Sequence, residues 1–224
     1  MPDPVDHGWL KQGSTSSAEV RQSYEDWAGS YDNDLLDWDY RAPLEAASLL
    51  KSFIPVSSTV LDAGCGTGLV GAALKQVGFT GHIDGIDLSP SSLERAEERG
   101  IYRRLRQIDF QDLPLDLPDD TCDALTCVGV LTYVPDSEAI LREFARVVRP
   151  GGVAIVTQRD DLFQERAFDR TIQGLVDAQV FQDAVITDPK LYLPANPDFG
   201  LDIQVIYAIL TVACPRTGGK TRSR

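Results

Sequence analysis

The sequence predicts an α/β fold in which a doubly wound, mostly parallel sheet carries helices on both faces. Between residues 59 and 157, short apolar runs alternate with amphipathic helical patterns, and the links between them are short. Such alternation is typical of right-handed β-α-β units, which give parallel strands. A glycine-rich segment, residues 64–68, lies between the first of these strands and the helix that follows. Because ligands bind at the carboxyl edge of such sheets, the segment marks a candidate site.

Seven strands are expected, with helices between most of them. An amphipathic helix follows the glycine-rich segment over residues 70–77, and Ser89 followed by Pro90 is typical of the start of the next helix. Beyond residue 157 the pattern weakens, and it predicts a helix over 161–178. The expected strands cover 59–61, 82–86, 102–108, 123–130, 153–157, 180–187 and 202–211.

Helical patterns also precede the first strand. Val20, Tyr24, Trp27 and Tyr31 are spaced by four, three and four residues, which places them on one face of a helix that begins near Ser16. The core sheet does not need these aromatic residues, so we interpret the segment as a lid over the ligand site. Ordinary core packing is the alternative, since such stripes are usually core.

The domain prediction follows from these patterns. We expect residues 16–214 to form one domain, with 16–56 as an N-terminal helical lid and 57–214 as the sheet-containing core. Residues 1–15 are rich in Pro, Gly, Asp and Ser, and we expect them to be disordered, with loose docking as the alternative. Residues 215–224 are expected to form a disordered basic tail.

The charge balance argues against two kinds of partner. The formal net charge is −13, although residues 216–224 carry four positive charges and no acid, so the rest of the chain carries −17. A body this acidic repels phosphate backbones and anionic membrane surfaces. We therefore expect neither nucleic acid nor a membrane as partner.

The cysteines and the N-terminal sequence indicate whether a metal site is expected and in which cellular compartment the protein is expected. The four cysteines include no Cys-x-x-Cys pair, and there are only two histidines, so no metal site or disulfide framework is expected. Scattered cysteines suit a reducing compartment. The chain shows no signal-peptide pattern and no apolar run of membrane-spanning length, and we expect a cytoplasmic protein.

Acidic residues end three of the expected strands. Asp62 ends the first strand, Asp87 the second and Asp109 the third. A carboxylate at the position of Asp87 can accept hydrogen bonds from both hydroxyls of a ribose. Asp109 has an alternative interpretation as a turn residue. Because glycine has no side chain, the backbone of residues 64–68 can approach a ligand closely.

These residues resemble a known family. Residues 60–68 resemble the first motif of the class I S-adenosylmethionine-dependent methyltransferases, and the Gly-x-Gly-x-Gly spacing is less similar to that of nicotinamide dehydrogenases. Residues 149–152, before the fifth strand, also resemble that family. A closer likeness is to the methyltransferase-like group that includes a protein of the Williams–Beuren region, and it is carried by residues 24–32, 40–43, 65–70 and 99–102.

The resemblance implies a fold, a cofactor and a set of site residues. The fold would be Rossmann-like, with a seven-stranded, mostly parallel sheet, a C-terminal antiparallel strand and N-terminal helices. The cofactor would be S-adenosyl-L-methionine. The residues implied to bind it are Tyr31, Arg41, Asp62, Ala63, Gly64, Cys65, Gly66, Asp87, Leu88, Ser89, Asp109, Phe110 and Val128.

Each implied role concerns one part of the cofactor. Asp62 and the backbone of residues 64–66 would hold the methionine part, with Arg41 pairing with its carboxylate and Tyr31 closing over it. Asp87 would hold the ribose and Leu88 would lie beside the adenine. Asp109 and Phe110 would also meet the adenine, and Val128 would flank the sulfonium. Arg41 is equally open to interpretation as a solvated surface charge.

The catalytic group and the acceptor are less well defined. A general base is needed only if the acceptor arrives protonated. Tyr133 and Arg159, which follow the fourth and fifth strands, are candidates for a direct role. Residues 128–133 lack the Asn-Pro-Pro-Tyr type of motif, which argues against amide or adenine nitrogen as acceptor.

Methyl transfer to an unidentified small molecule is the predicted function. The alternatives are a non-catalytic partner protein that binds S-adenosylmethionine and a nicotinamide-dependent oxidoreductase. The acceptor and the oligomeric state are not determined by the sequence.

Overall fold

An eight-stranded, mostly parallel sheet runs through the centre of the structure, a computed structural model that describes residues 7–215. Its strands are β1 (Val60–Ala63), β2 (Ile83–Asp87), β3 (Arg104–Gln107), β4 (Cys122–Cys127), β5 (Val148–Arg159), β6 (Phe181–Ile186), β7 (Lys190–Leu191) and β8 (Gln204–Val212). The strand order is β3-β2-β1-β4-β5-β8-β6, and β7 pairs with β8. Strand β8 is antiparallel to β5, β6 and β7, while β1 to β5 are parallel. The order reverses between β1 and β4, which is where doubly wound sheets bind ligands.

Nine α-helices accompany the sheet in the described part of the chain, besides a 3₁₀ turn at Leu131–Tyr133. They are α1 (Trp9–Gln12), α2 (Ser17–Trp27), α3 (Tyr31–Asp37), α4 (Ala42–Lys51), α5 (Leu69–Gln76), α6 (Pro90–Glu98), α7 (Ser137–Val147), α8 (Asp160–Glu165) and α9 (Phe168–Asp177). Side-chain caps begin several of them. Ser16 caps α2, Ser89 caps α6 and Asp136 caps α7, each accepting a backbone N–H of the first turn.

Two apolar cores lie on opposite faces of the sheet. Alternate strand residues point to opposite faces, and accordingly Val60 belongs to the core under α4 and α5, while Leu61 belongs to the core under α7 and α9. A third apolar cluster lies beside the sheet, where α1 to α3 meet the loop before β8. Its buried members are Leu10, Trp27, Leu35, Leu193, Phe199 and Ile203.

The predicted fold class is confirmed, and the structure adds detail. The seven expected strands are present, and the eighth is the two-residue β7. The single helix expected from Ser16 through Tyr31 is two helices, because the chain leaves the helical path at residues 28–30. The helix expected over 161–178 is likewise divided, at Ala167, whose φ is 47°.

The expected disorder of residues 1–15 is wrong for part of that range. Residues 9–12 form α1, and Leu10 is buried in the third cluster. Residues 1–6 lie outside the described residues, as does the predicted basic tail beyond Pro215. No helix within residues 7–215 is long and apolar enough to cross a membrane.

Truncating a core phenylalanine tests the importance of the core under α7. Phe144 is fully buried there, so Phe144→Ala is expected to lower the free energy of unfolding by about 3–5 kcal/mol, because it leaves a cavity. Phe53, which is 45% exposed, provides the matched control: Phe53→Ala is expected to cost about 0.5 kcal/mol or less. Urea unfolding of both variants measures the difference, and equal losses would contradict this assignment of the core.

Candidate active site

The glycine-rich loop, residues 64–68, joins β1 to α5 and presents its backbone to a cavity. Gly64 has φ 75°, and a Cβ there would lie 2.3 Å from Cγ2 of Val130. Gly66 has φ 52°, and no heavy atom lies within 4 Å of the position where its Cβ would be. The loop therefore needs glycine at Gly64 for close packing, while Gly66 borders open space in which a ligand can approach the backbone.

Asp87, at the end of β2, connects the glycine loop to the wall of the cavity. Its Oδ2 accepts the backbone N–H of Gly66 at 2.8 Å, and its Oδ1 accepts that of Ser89 at 2.8 Å. Burial raises the pKa of the Asp87 carboxyl, while these hydrogen bonds act in the opposite direction. A carboxylate has about four lone-pair sites, so Asp87 keeps acceptor capacity for a ligand in the cavity.

The cavity lies at the carboxyl edge of the parallel strands, between the sheet and the N-terminal helices. It has an open mouth, and about 980 Å³ of space free of protein atoms lies inside it when that mouth is counted. One part, which we call the loop end, is lined by Gly64, Gly66, Asp87, Leu88, Ser89, Ile108, Asp109 and Phe110. The other part, which we call the tyrosine end, is lined by Tyr24, Tyr31, Tyr40, Tyr133 and Tyr192 together with Leu10, Trp27, Val128 and Leu193.

Three of the predicted site residues are buried and do not line the cavity. Asp62 is fully buried and accepts hydrogen bonds from the Tyr102 hydroxyl at 2.6 Å and from Oγ1 of Thr126 at 3.1 Å. Burial raises the pKa of Asp62 to about 7. Ala63 and Cys65 are buried as well. Asp62 therefore supports the base of the loop, and the expected direct contact between its side chain and the methionine part is not supported.

Arg41 lies outside the cavity, contrary to the predicted pairing with a ligand carboxylate. Its Nε donates to Oδ1 of Asp39 at 2.9 Å and its Nη2 to Oδ2 at 2.5 Å. The side chain is 63% exposed. The alternative interpretation of Arg41 as a surface charge fits the structure.

Arg159, expected as a candidate for a direct role, instead holds α1 in place. The side chain is only 4% exposed. Its Nη1 donates to the backbone carbonyl oxygens of Leu10 at 2.8 Å and of Lys11 at 3.1 Å, and it forms a bidentate ion pair with Asp161. The guanidinium also lies 5.3 Å from the centre of the Phe199 ring. Because Leu10 lines the tyrosine end, Arg159 shapes that wall from behind.

Other predicted residues line the same cavity. Tyr31, Leu88, Asp109, Phe110 and Val128 line the cavity along with Ser89 and Tyr133. The Phe110 ring also packs edge-on against Phe144, with centroids 5.8 Å apart. Oδ1 of Asp109 accepts the backbone N–H of Gln111 at 2.9 Å. Asp109 therefore both stabilises a turn and lines the cavity.

An ionic network ties the N-terminal helices to the glycine loop. Asp32, in α3, pairs with Nη2 of Arg99 and accepts the hydroxyl of Thr67 at 2.5 Å. Nε of Arg99 donates to the backbone oxygen of Thr67 at 2.5 Å. The network therefore fixes α3 against residues 64–68, and with it the side of the cavity that contains Tyr31.

Sequence reasoning missed Leu10, Tyr192 and Leu193 as parts of the wall. Leu10 lies in a range expected to be disordered, and the other two lie in a loop without a periodic pattern. Arg99 and Tyr102 lie in a segment that carried the family resemblance, but no role followed from it. In the structure they hold Asp32 and Asp62 respectively.

Comparisons with known proteins place this geometry in a family. Residues 61–156 match the methyltransferase domain family. The human methyltransferase-like protein 27 is 34% identical over 179 residues, which cover 77% of this chain and 72% of that protein. The chain belongs to the S-adenosylmethionine-dependent methyltransferases. The resemblance to the methyltransferase-like group is thereby confirmed.

Other methyltransferases match over less of their length or share the fold alone. The demethylmenaquinone methyltransferase of Bacillus licheniformis is 39% identical over 114 residues, about 49% of each chain. A putative methyltransferase of Haloferax volcanii, solved with the Trm112 methyltransferase activator, superposes with a TM-score of 0.65 at 19% identity, covering 88% of this chain and 98% of that one. The latter likeness shows the fold.

S-adenosylmethionine is the cofactor of this methyltransferase, and the loop end has the chemistry to hold it. The open space beside Gly66 leaves room for close approach to the backbone. Asp87 provides an acceptor on the wall, and the buried side chains of Ile108 and Phe110 provide an apolar surface. An acceptor beside an apolar slot is what a nucleoside requires, since its ribose donates hydrogen bonds and its base is flat and apolar on both faces.

The clamp on α1 can be tested by hydrogen exchange. Arg159→Gln is expected to speed amide exchange in residues 8–13, because the carbonyl oxygens of Leu10 and Lys11 lose their charged donor. Arg142→Gln is the matched control, since Arg142 is 46% exposed on α7. Unchanged slow exchange in residues 8–13 of Arg159→Gln would show that α1 is held by other contacts.

Proposed function

We propose that this methyltransferase transfers the methyl group to a small-molecule acceptor held at the tyrosine end of the cavity. The observation that carries the proposal is continuity: the loop end and the tyrosine end are parts of one cavity. Aromatic and aliphatic side chains from α1, α2, α3 and the loop before β8 enclose the tyrosine end, which suits a ligand of limited size. An extended polymer would need an open groove.

At the loop end, the residues have separable roles in binding. Asp87 would accept the ribose hydroxyls, with Leu88 beside the adenine. Asp109 and Phe110 would lie at the adenine ring. The backbone near Gly64 would lie at the methionine part, supported from beneath by Asp62. The family resemblance implies these roles, and the places of Asp87, Leu88, Asp109 and Phe110 on the cavity wall and the hydrogen-bonding capacity of each group support them.

The protein contributes orientation and exclusion of water. The cofactor supplies an electrophilic methyl group on a sulfonium. At the tyrosine end, the Tyr31 ring packs against Trp27 with 4.6 Å between ring centroids, while burial and the nearby Asp87 carboxylate raise the pKa of its hydroxyl. Packing of α1 to α3 over the sheet edge limits how much water reaches the space between the ends. Correct alignment of reacting groups is worth about 7–11 kcal/mol of the barrier, so these positioning functions can account for much of the catalysis.

The sequence left two alternative functions open, a nicotinamide-dependent oxidoreductase and a non-catalytic protein that binds S-adenosylmethionine. Membership of the methyltransferase family excludes the oxidoreductase. A non-catalytic protein that binds S-adenosylmethionine would make no methylated product. The two remaining functions are separated by incubating the protein with methyl-labelled S-adenosylmethionine and a cell extract, then filtering the products into small and large fractions. The proposal expects label in the small fraction, and label confined to macromolecules, or no transfer at all, would contradict it.

Removal of the Asp87 carboxylate tests the loop end. Asp87→Ala is expected to weaken S-adenosylhomocysteine binding about a hundredfold or more, because two charge-assisted hydrogen bonds worth about 1.5–3 kcal/mol each are lost. Isothermal titration calorimetry measures this, and circular dichroism checks that the variant is folded. Asp177→Ala, at an exposed position in α9, is the control and should bind like the unmodified protein. Affinity of Asp87→Ala within about threefold of that control would remove Asp87 from the site.

A further inference from the structure

Two tyrosine hydroxyls meet at the end of β4. A Cβ at Gly129 would lie 3.0 Å from the hydroxyl oxygen of Tyr40 and 3.3 Å from that of Tyr192. The two rings pack edge to face, with centroids 5.6 Å apart. Gly129 is held in place, because its backbone N–H donates to Oγ1 of Thr157 at 2.8 Å. The absence of a side chain at Gly129 therefore lets both hydroxyls approach the backbone, and both tyrosines, which we call the tyrosine pair, line the cavity.

The tyrosine pair lies beside the proposed place of the methionine part. Gly129 follows Val128, which the family resemblance places at the sulfonium, and it precedes Val130. Val130 packs closely on Gly64, since a Cβ at Gly64 would lie 2.3 Å from its Cγ2. The methionine part is proposed to lie at the backbone near Gly64. The tyrosine pair therefore borders that part of the cofactor from the side of β4.

The methionine part carries a carboxylate, which needs hydrogen-bond donors or a cation when it is taken out of water. Among the described residues that line the cavity, the charged ones are Arg21, Asp87 and Asp109. Two of these are acids, and Arg21 is half-exposed and donates to Glu25 at 3.0 Å. Arg41, which the resemblance implied for this carboxylate, does not line the cavity. A carboxylate at the end of β4 therefore depends on neutral donors in the wall and on charges behind it.

The tyrosine pair supplies such donors, and a buried cation lies behind one of them. Each tyrosine hydroxyl carries one hydrogen that it can donate. The Tyr192 ring packs on Phe199 with centroids 5.9 Å apart, and the Arg159 guanidinium lies 5.3 Å from the centre of the Phe199 ring. Burial raises the pKa of the Tyr192 hydroxyl, and the positive charge of Arg159 acts in the opposite direction. Because Arg159 is already paired with Asp161, we expect the hydroxyls to contribute more than this charge.

We infer that Tyr40 and Tyr192 hold the carboxylate of the methionine part through their hydroxyls, in the role that the resemblance gave to Arg41. The inference rests on the placement of the cofactor in the proposed function, and it names two positioning residues that neither the motifs nor the resemblance assigned. Hydrogen bonds to a carboxylate are stronger than those between neutral groups. Two of them would fix the methionine part against the end of β4 and so orient the sulfonium.

Two ligands that differ only in the carboxylate test the inference by binding alone. S-adenosylhomocysteine carries the carboxylate, whereas its decarboxylated analogue keeps the amine and lacks the acid. Tyr40→Phe and Tyr192→Phe are each expected to weaken binding of S-adenosylhomocysteine about tenfold or more, because a hydrogen bond to a charged group is lost. Binding of the analogue is expected to change by less than about threefold. Isothermal titration calorimetry near neutral pH measures both affinities, and circular dichroism checks that each variant is folded.

Tyr207→Phe is the matched control, because Tyr207 is a buried tyrosine that does not line the cavity. It is expected to bind both ligands like the unmodified protein. The unmodified protein should itself prefer S-adenosylhomocysteine to the analogue by at least about tenfold, which keeps the test independent of how the variants fold.

Four results would overturn the inference: no such preference, equal losses of the two ligands in the pair variants, unchanged binding of both, or the same selective loss in Tyr207→Phe. Unchanged binding together with slower methyl transfer would assign the tyrosine pair to the acceptor instead. Absence of methyl transfer by the unmodified protein, with the selective loss present, would contradict the proposed function and leave this inference standing.

Discussion

The ion pair between Asp32 and Arg99 connects the two parts of the chain on which the cavity depends. Arg99 directly follows α6 in the sheet-containing core, whereas Asp32 belongs to the N-terminal helices. Thr67 joins both, so the pair also holds the glycine loop. The ion pair acts together with the apolar packing of the third cluster, which includes Trp27 and Leu35. As a result, α2 and α3 bring Tyr24, Trp27 and Tyr31 over the loop end, and the cavity has walls from both parts of the chain.

Support from beneath the loop is as important as closure from above. Asp62 is a fully buried carboxyl, which is costly unless its oxygens are hydrogen-bonded. Tyr102 and Thr126 each donate to one of its oxygens, and Tyr102 also accepts the backbone N–H of Gly71 at 3.2 Å. The acid that precedes the glycines therefore fixes β1, β4 and the start of α5 relative to one another. The backbone of the glycine-rich loop therefore remains available to contact the ligand.

The sequence predicted the sheet well because its signals are local. Each of these signals acts within a few residues: the alternating apolar patterns, the serine cap before Pro90, and the glycines between β1 and α5. Asp87 could be identified as a site residue because it ends the strand that follows the glycine-rich segment. Arg41 and Arg159 could not be assigned in this way. Both are arginines near strand or helix ends, and only the packing shows that one faces solvent beside Asp39 while the other is buried under α1. Leu10 and Tyr192 join the wall from segments without periodicity, so no local signal could place them.

Hydrogen exchange with and without S-adenosylhomocysteine tests the central claim most directly, namely that the N-terminal helices and the glycine loop enclose the cofactor together. The account predicts that saturating ligand slows amide exchange in residues 17–41 as well as in residues 64–68, because binding at the loop end strengthens the closure that Asp32 and Arg99 maintain. Protection confined to residues 64–68, with residues 17–41 exchanging at the same rate in both states, would contradict it.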